Sequence, residues 1–159
     1  MNKEKLERLA KDLNREYPRS PRAMLGGHVI AARCLDKCRA SLVGKSGSYK
    51  FWPCSLCREL LEFTGIVREK FNDFVATGAS DEEVGEWVKN NSKVKDPLEI
   101  IRWNNKMRDM RLSEMSDEMQ VHLEKYIPEN IPEHYAVYVW FDVFDLEEGR
   151  GMARLLQKT

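Results

Sequence analysis

Proline, glycine and helix-capping residues cut this chain into short amphipathic pieces, and most of the pieces read as helix. Leu6, Leu9, Ala10 and Leu13 recur at helical spacing among lysines and glutamates, which predicts a peripheral N-terminal helix over residues 3–15. Tyr17-Pro18-Arg19-Ser20-Pro21 ends it, because a residue before proline is pushed out of the helical region. Ser20 can then cap a second helix, with Pro21 at its first position, running to Val43 and stopping at Gly44. Met24, His28, Ala31, Leu35, Cys38 and Leu42 share the expected core face of that helix, with Arg33, Asp36 and Lys37 opposite or flanking. Gly26 and Gly27 fall inside its first turns. Two glycines there cost about 1 kcal/mol each against alanine, and close approach of another backbone or a ligand is the usual reason.

Further helices follow. One leads from Cys54 to Gly65, and another runs from Val67 to Thr77 with Gly78 as its stop. Ser80-Asp81-Glu82-Glu83 is a capping box opening a helix at Asp81. Asp96-Pro97 opens one carrying Leu98, Ile101 and Met107, and Ser116 caps one closed by Pro128 and Pro132. Trp87 and Trp103 read as core. Tyr49–Trp52 favours an extended conformation. Tyr135–Leu146 alternates apolar residues like a strand, yet fits an aromatic helix equally well. The expected fold is mainly α: a single compact helical domain over 1–159, with a short extended or two-stranded element. Residues 1–16 would form the peripheral helix and 17–159 the core.

Composition narrows the function classes. The 159 residues are 42% hydrophobic and 33% charged, with 26 basic and 26 acidic side chains. That balance argues against a nucleic-acid coat protein and an acidic disordered tail. No apolar run approaches a membrane span, and the charged start lacks a signal peptide's apolar stretch, so a cytoplasmic protein with no membrane partner is expected. The charge is nevertheless uneven, with nine basic and two acidic residues from Arg15 to Arg58. Such a segment either binds an anion or folds onto the acidic half of the chain.

Two constellations carry chemistry. In the first, Arg19 and Arg39 are candidate bidentate donors to a small anionic ligand, with Asp36 holding an arginine rigid and Lys37 adding charge. Tyr49 and Asn104 are candidate polar tips beside the pocket, and His28 a candidate proton carrier or core histidine. The second is the four cysteines, Cys34, Cys38, Cys54 and Cys57. Cys34 and Cys38 lie one helical turn apart, and Cys54-Ser55-Leu56-Cys57 is a C-x-x-C at a helix mouth. Both pairs have thiolate-ligand spacing for zinc or an iron–sulfur cluster. The same C-x-x-C admits redox work with Cys54 as nucleophile, since a helix N-terminus and Arg58 favour a thiolate. The bland alternative is buried thiols packed as small hydrophobes. Asp142, Asp145, Glu147 and Glu148 form a carboxylate cluster that suits either Mg²⁺ or Ca²⁺, or pairing with the basic helix.

Taken in order, Tyr17-Pro18-Arg19-Ser20-Pro21, Leu25-Gly26-Gly27, Leu35-Asp36-Lys37-Cys38-Arg39-Ala40, Gly47-Ser48-Tyr49, Pro53-Cys54, Phe63-Thr64-Gly65, Ser80-Asp81-Glu82-Glu83-Val84, Trp87-Val88, Trp103-Asn104 and Glu148-Gly149-Arg150 resemble a bacterial family of small proteins described only as a domain of unknown function. The resemblance spans nearly the whole chain and implies one small cytoplasmic domain, with no activity, cofactor or substrate attached. It implies cysteine at position 54, commonly aspartate at 57, and no requirement for Cys34 or Cys38, so a four-cysteine metal site is not implied. It directs attention to Arg19, Asp36, Lys37, Arg39, Tyr49, Cys54 and Asn104. Three readings follow: a domain binding a small anionic ligand, with Cys54 or His28 reactive if it is an enzyme; a non-catalytic protein-interaction module; and a thiolate metal or C-x-x-C redox site. Self-association is left open by the sequence.

Overall fold

The computed structural model describes residues 1–133 and 135–151. The fold is mainly α, as the punctuation of the sequence predicts. Eight α-helices occur among the described residues: α1 Lys3–Leu9, α2 Ala31–Leu42, α3 Ser55–Thr64, α4 Arg68–Ala76, α5 Asp81–Asn91, α6 Pro97–Asp109, α7 Asp117–Asn130 and α8 Trp140–Glu147. The chain divides into two compact units, Met1–Arg102 and Trp103–Thr159, with the division falling inside α6.

In the first unit, α2 packs against α1, α3 and α4. All ten residues from Ala31 to Ala40 are buried, so this helix has no solvated face. That differs from the expected amphipathic reading: Arg33, Asp36, Lys37 and Arg39 are buried with the apolar residues. Buried charges persist only when paired or hydrogen-bonded, so their partners define the interior chemistry of this unit.

The start of α2 is also a correction. Residues 21–30 form turns instead of helix, with Leu25 and His28 exchanging backbone hydrogen bonds of 3.1 Å each way. Gly26 and Gly27 supply the positive φ values of 58° and 80° that this tight turn needs. A Cβ on Gly26 would stand 2.5 Å from the Gly85 carbonyl oxygen, so the close backbone approach expected at the glycine pair is present, against α5. Ile30 then adopts φ 72°, ψ −33°, a region that a β-branched residue rarely enters, and the helix begins only after it. Ser20 does not cap α2; its hydroxyl accepts from the Arg22 N–H at 3.1 Å.

The N-terminal helix is shorter than expected. It ends at Leu9, Leu6 is fully buried, and the Asn2 N–H donates to the Ala76 carbonyl at 2.8 Å. Other boundaries follow the sequence closely. Gly65 ends α3 in the left-handed conformation at φ 66°. Ser80 and Glu83 complete both bonds of the capping box on α5, at 3.2 and 2.7 Å. Tyr49–Trp52 forms bends and no strand.

In the second unit, Leu123, Ile131 and Val143 form the centre of a small core. Helix α7 continues through Pro128 to Asn130, two residues beyond the expected stop. The ambiguous segment resolves into two parts. Val139 bridges Arg111, and Trp140–Glu147 is helical because Trp140, Phe141 and Val143 bury one side of a turn. The buried residues of α6 are Trp103, Asn104 and Met107, whereas Leu98 and Ile101 are exposed.

Candidate functional site

Asp36 and Asp81 organise the predicted clamp. The Arg19 backbone N–H donates to Asp36 Oδ2 at 2.8 Å, and its Nη2 donates to Oδ1 at 2.8 Å. Its Nη1 donates to Asp81 Oδ2 at 2.6 Å. Arg39 Nη1 donates to the other oxygen, Asp81 Oδ1, at 2.6 Å, and its Nη2 to the Ala79 carbonyl at 2.8 Å. Arg19 and Arg39 therefore do converge, but around a carboxylate of the chain itself, set in the first turn of α5. Desolvation pushes the Asp81 pKa up, yet the hydrogen bonds from Arg39 and Arg19 outweigh it and hold the carboxyl below the usual range. An incoming anion would have to displace Asp81 from both guanidinium groups.

Arg33 donates to the Arg19 carbonyl at 3.1 Å and lies over the Tyr49 ring at 5.6 Å. Asn104 is buried in the second unit. His28 sits in the Leu25–His28 turn, its Nδ1 2.9 Å from the Gly26 carbonyl oxygen and its ring edge-on to Phe63. Burial lowers its pKa, so the neutral imidazole is favoured there. The carboxylate cluster is tied down locally: Arg150 donates to Asp145 at 3.1 Å and Glu148 at 2.7 Å, and the Tyr126 hydroxyl to Glu147 at 2.6 Å.

Lys37 does something else. It is only 7% exposed, and no carboxylate forms an ion pair with it among the described residues. Its Nζ donates to Cys54 Sγ at 3.0 Å. Cys54 is the half-buried N-cap of α3, with its backbone extended and no side-chain cap bond. The hydrogen bond with Cys57 and burial push the Cys54 thiol pKa up, while the Lys37 charge pulls against them. Cys57 is buried, raised chiefly by Cys34, and its Sγ lies 2.7 Å from Cys34 Sγ. Lys37, Cys54, Cys57 and Cys34 thus form one continuous chain of contacts from a half-buried thiol to the interior between α3 and α2.

Cys38 stays outside this chain. Its thiol is 3.6 Å from Asn72 Oδ1, and burial pushes its pKa up to about 12. The four cysteines therefore do not share one centre, and no group of three or more His, Cys, Asp or Glu side chains among the described residues is placed to hold a metal ion. Sequence spacing grouped Cys34 with Cys38, one turn along the helix; the structure groups Cys34 with the C-x-x-C. Asp81 was visible only as part of a capping box, and nothing in the spacing linked it to Arg19 or Arg39.

A mainly helical chain whose second helix is buried from Ala31 to Ala40, charges included, with a lysine–thiol chain of contacts beside it, is what these features define. The chain belongs to the family described as Domain of unknown function (DUF5069), whose model matches residues 15–150. The resemblance drawn from the motifs is thus to the right kind of family. None of the curated proteins matches the chain. No helix among the described residues is long and apolar enough to cross a membrane.

Proposed function

We propose that this chain is a dithiol redox protein that exchanges electrons with disulfides at Cys54 and Cys57. The observation that carries the reading is the Lys37 ammonium 3.0 Å from Cys54 Sγ, buried and with no carboxylate ion pair among the described residues. An uncompensated buried ammonium is costly, and a thiolate at the neighbouring Cys54 would supply a counter-charge. Cys54 is also the only one of the four cysteines that is not fully buried, so a disulfide meets it first.

The chemistry balances simply. The Cys54 thiolate attacks one sulfur of a disulfide RSSR, forming a mixed disulfide and releasing RS⁻. The Cys57 thiolate then attacks the Cys54 sulfur, forming the Cys54–Cys57 bond and releasing the second RS⁻. Two protons leave the protein thiols and two RSH form, so RSSR is reduced as the dithiol is oxidised. Because burial and the neighbouring thiol hold Cys54 protonated, the exchange accelerates as pH rises.

The test is a thiol count. Reduced, folded protein is incubated with excess 2-hydroxyethyl disulfide, then weighed intact. The expected product is 2 Da lighter, with two thiols fewer and no adduct retained. Protein that keeps all four thiols, or that accumulates adduct without an internal disulfide, overturns the reading.

A further inference from the structure

Cys34 has no role in a two-cysteine exchange, yet its sulfur lies against that of the resolving thiol. It projects from the first turns of α2 toward the third residue of α3, and both thiols are 1% exposed. The Cys34–Cys57 separation of 2.7 Å is about 0.7 Å longer than a bonded pair. A small movement of either side chain closes it.

Resting on the dithiol reading above, we propose that the oxidation taken up at Cys54 is passed inward and held as a Cys34–Cys57 disulfide joining α2 to α3. The step conserves electrons. The Cys34 thiolate attacks the Cys57 sulfur of the Cys54–Cys57 bond, the Cys34–Cys57 bond forms, and Cys54 leaves as a thiolate. No further oxidant is consumed, and the proton lost by Cys34 passes to solvent.

Three features favour the inner position. A disulfide is uncharged, so it suits the buried space between the helices better than two ionisable thiols. The departing Cys54 thiolate lands beside the Lys37 ammonium, which gains the counter-charge it lacks in the reduced protein. The inner bond also makes the Cys57 sulfur a poorer acceptor for the Cys54 S–H, whose donation to Cys57 favours the protonated thiol. Cys54 is thereby freed at the entrance while the oxidised pair is shielded from solvent.

The experiment maps the bonds in the folded full chain. After exposure to 2-hydroxyethyl disulfide, the protein is quenched in acid, its free thiols are alkylated, and non-reduced peptides are sequenced by mass spectrometry. The expected wild-type map joins Cys34 to Cys57 and finds Cys54 and Cys38 alkylated. Cys54→Ser should form that bond at least about tenfold more slowly, because the entry thiol is gone. A wild-type map joining Cys54 to Cys57 overturns the inward transfer and leaves the dithiol reading standing, whereas unchanged kinetics in folded Cys54→Ser removes Cys54 as the entry thiol and overturns both. No internal disulfide of any kind overturns both. The wild-type map decides the point without a variant, so a substitution that fails to fold does not shield the proposal.

Discussion

Replacing Asp81 by asparagine removes the charge shared by Arg19 and Arg39 while keeping the side chain's size. Arg39 is 3% exposed, and Asp81 is the carboxylate that its Nη1 contacts. Stripping a fully buried ion of its partner costs about 3–5 kcal/mol. Two facts reduce this here: the Asp81 side chain is 35% exposed, and Arg19 retains Asp36. A loss of about 2–3 kcal/mol is therefore expected at pH 7. With a denaturant slope of about 1–3 kcal/mol per molar, the urea midpoint of the Met1–Arg102 unit should fall by about 1–2 M, read by hydrogen exchange of the α2 amides. The pH dependence adds a sign. The folded Asp81 pKa lies below its ordinary value of 3.8, so its contribution is fully present above that value. It is lost as pH falls through the folded pKa, and the gap between wild type and D81N should close in acid. A midpoint unchanged at pH 7, or a gap that persists once Asp81 is protonated, would refute the assignment of Asp81 as the clamp's occupant.

Two further outcomes follow from the same coordinates. Gly26→Ala places a Cβ 2.5 Å from the Gly85 carbonyl at a φ of 58°, so the variant should lose at least about 2 kcal/mol in chemical denaturation. Cys38 should resist alkylation in the folded protein through pH 9, because its thiol ionises only near pH 12. Its raised pKa means stability is intact below the ordinary thiol value of 9.0 and falls as pH rises from there toward about 12, and Cys38→Ser should flatten that decline.

The helix caps could be read from sequence because capping is local. Ser80 with Glu83, Pro97 at a first position and Gly65 after α3 each act over three or four residues. The start of α2 could not, since residues 24–35 continue an apolar helical spacing through a turn that the two glycines bend. The glycine pair is the local signal for that turn, through the positive φ of both residues. The charged face of α2 was misread for a different reason. A buried ion-pair network and a solvated face have the same residue types, and only the positions of Asp81 and Cys54, brought by distant segments, tell them apart. The carboxylate between Arg19 and Arg39 lies 42 residues along the chain from Arg39, beyond the reach of local spacing. The C-x-x-C was visible, whereas its third sulfur depended on how α2 turns toward α3.

The lysine–thiol contact is tested most directly by the alkylation rate of Cys54 against pH, followed by peptide mass spectrometry in wild type and Lys37→Met. Removing the ammonium disfavours the thiolate and raises the Cys54 pKa. The log rate of the variant should therefore run parallel to wild type but lower by about one unit or more, equivalent to at least about 1.4 kcal/mol. A folded Lys37→Met protein whose Cys54 reacts as fast as wild type across that range would contradict the coupling.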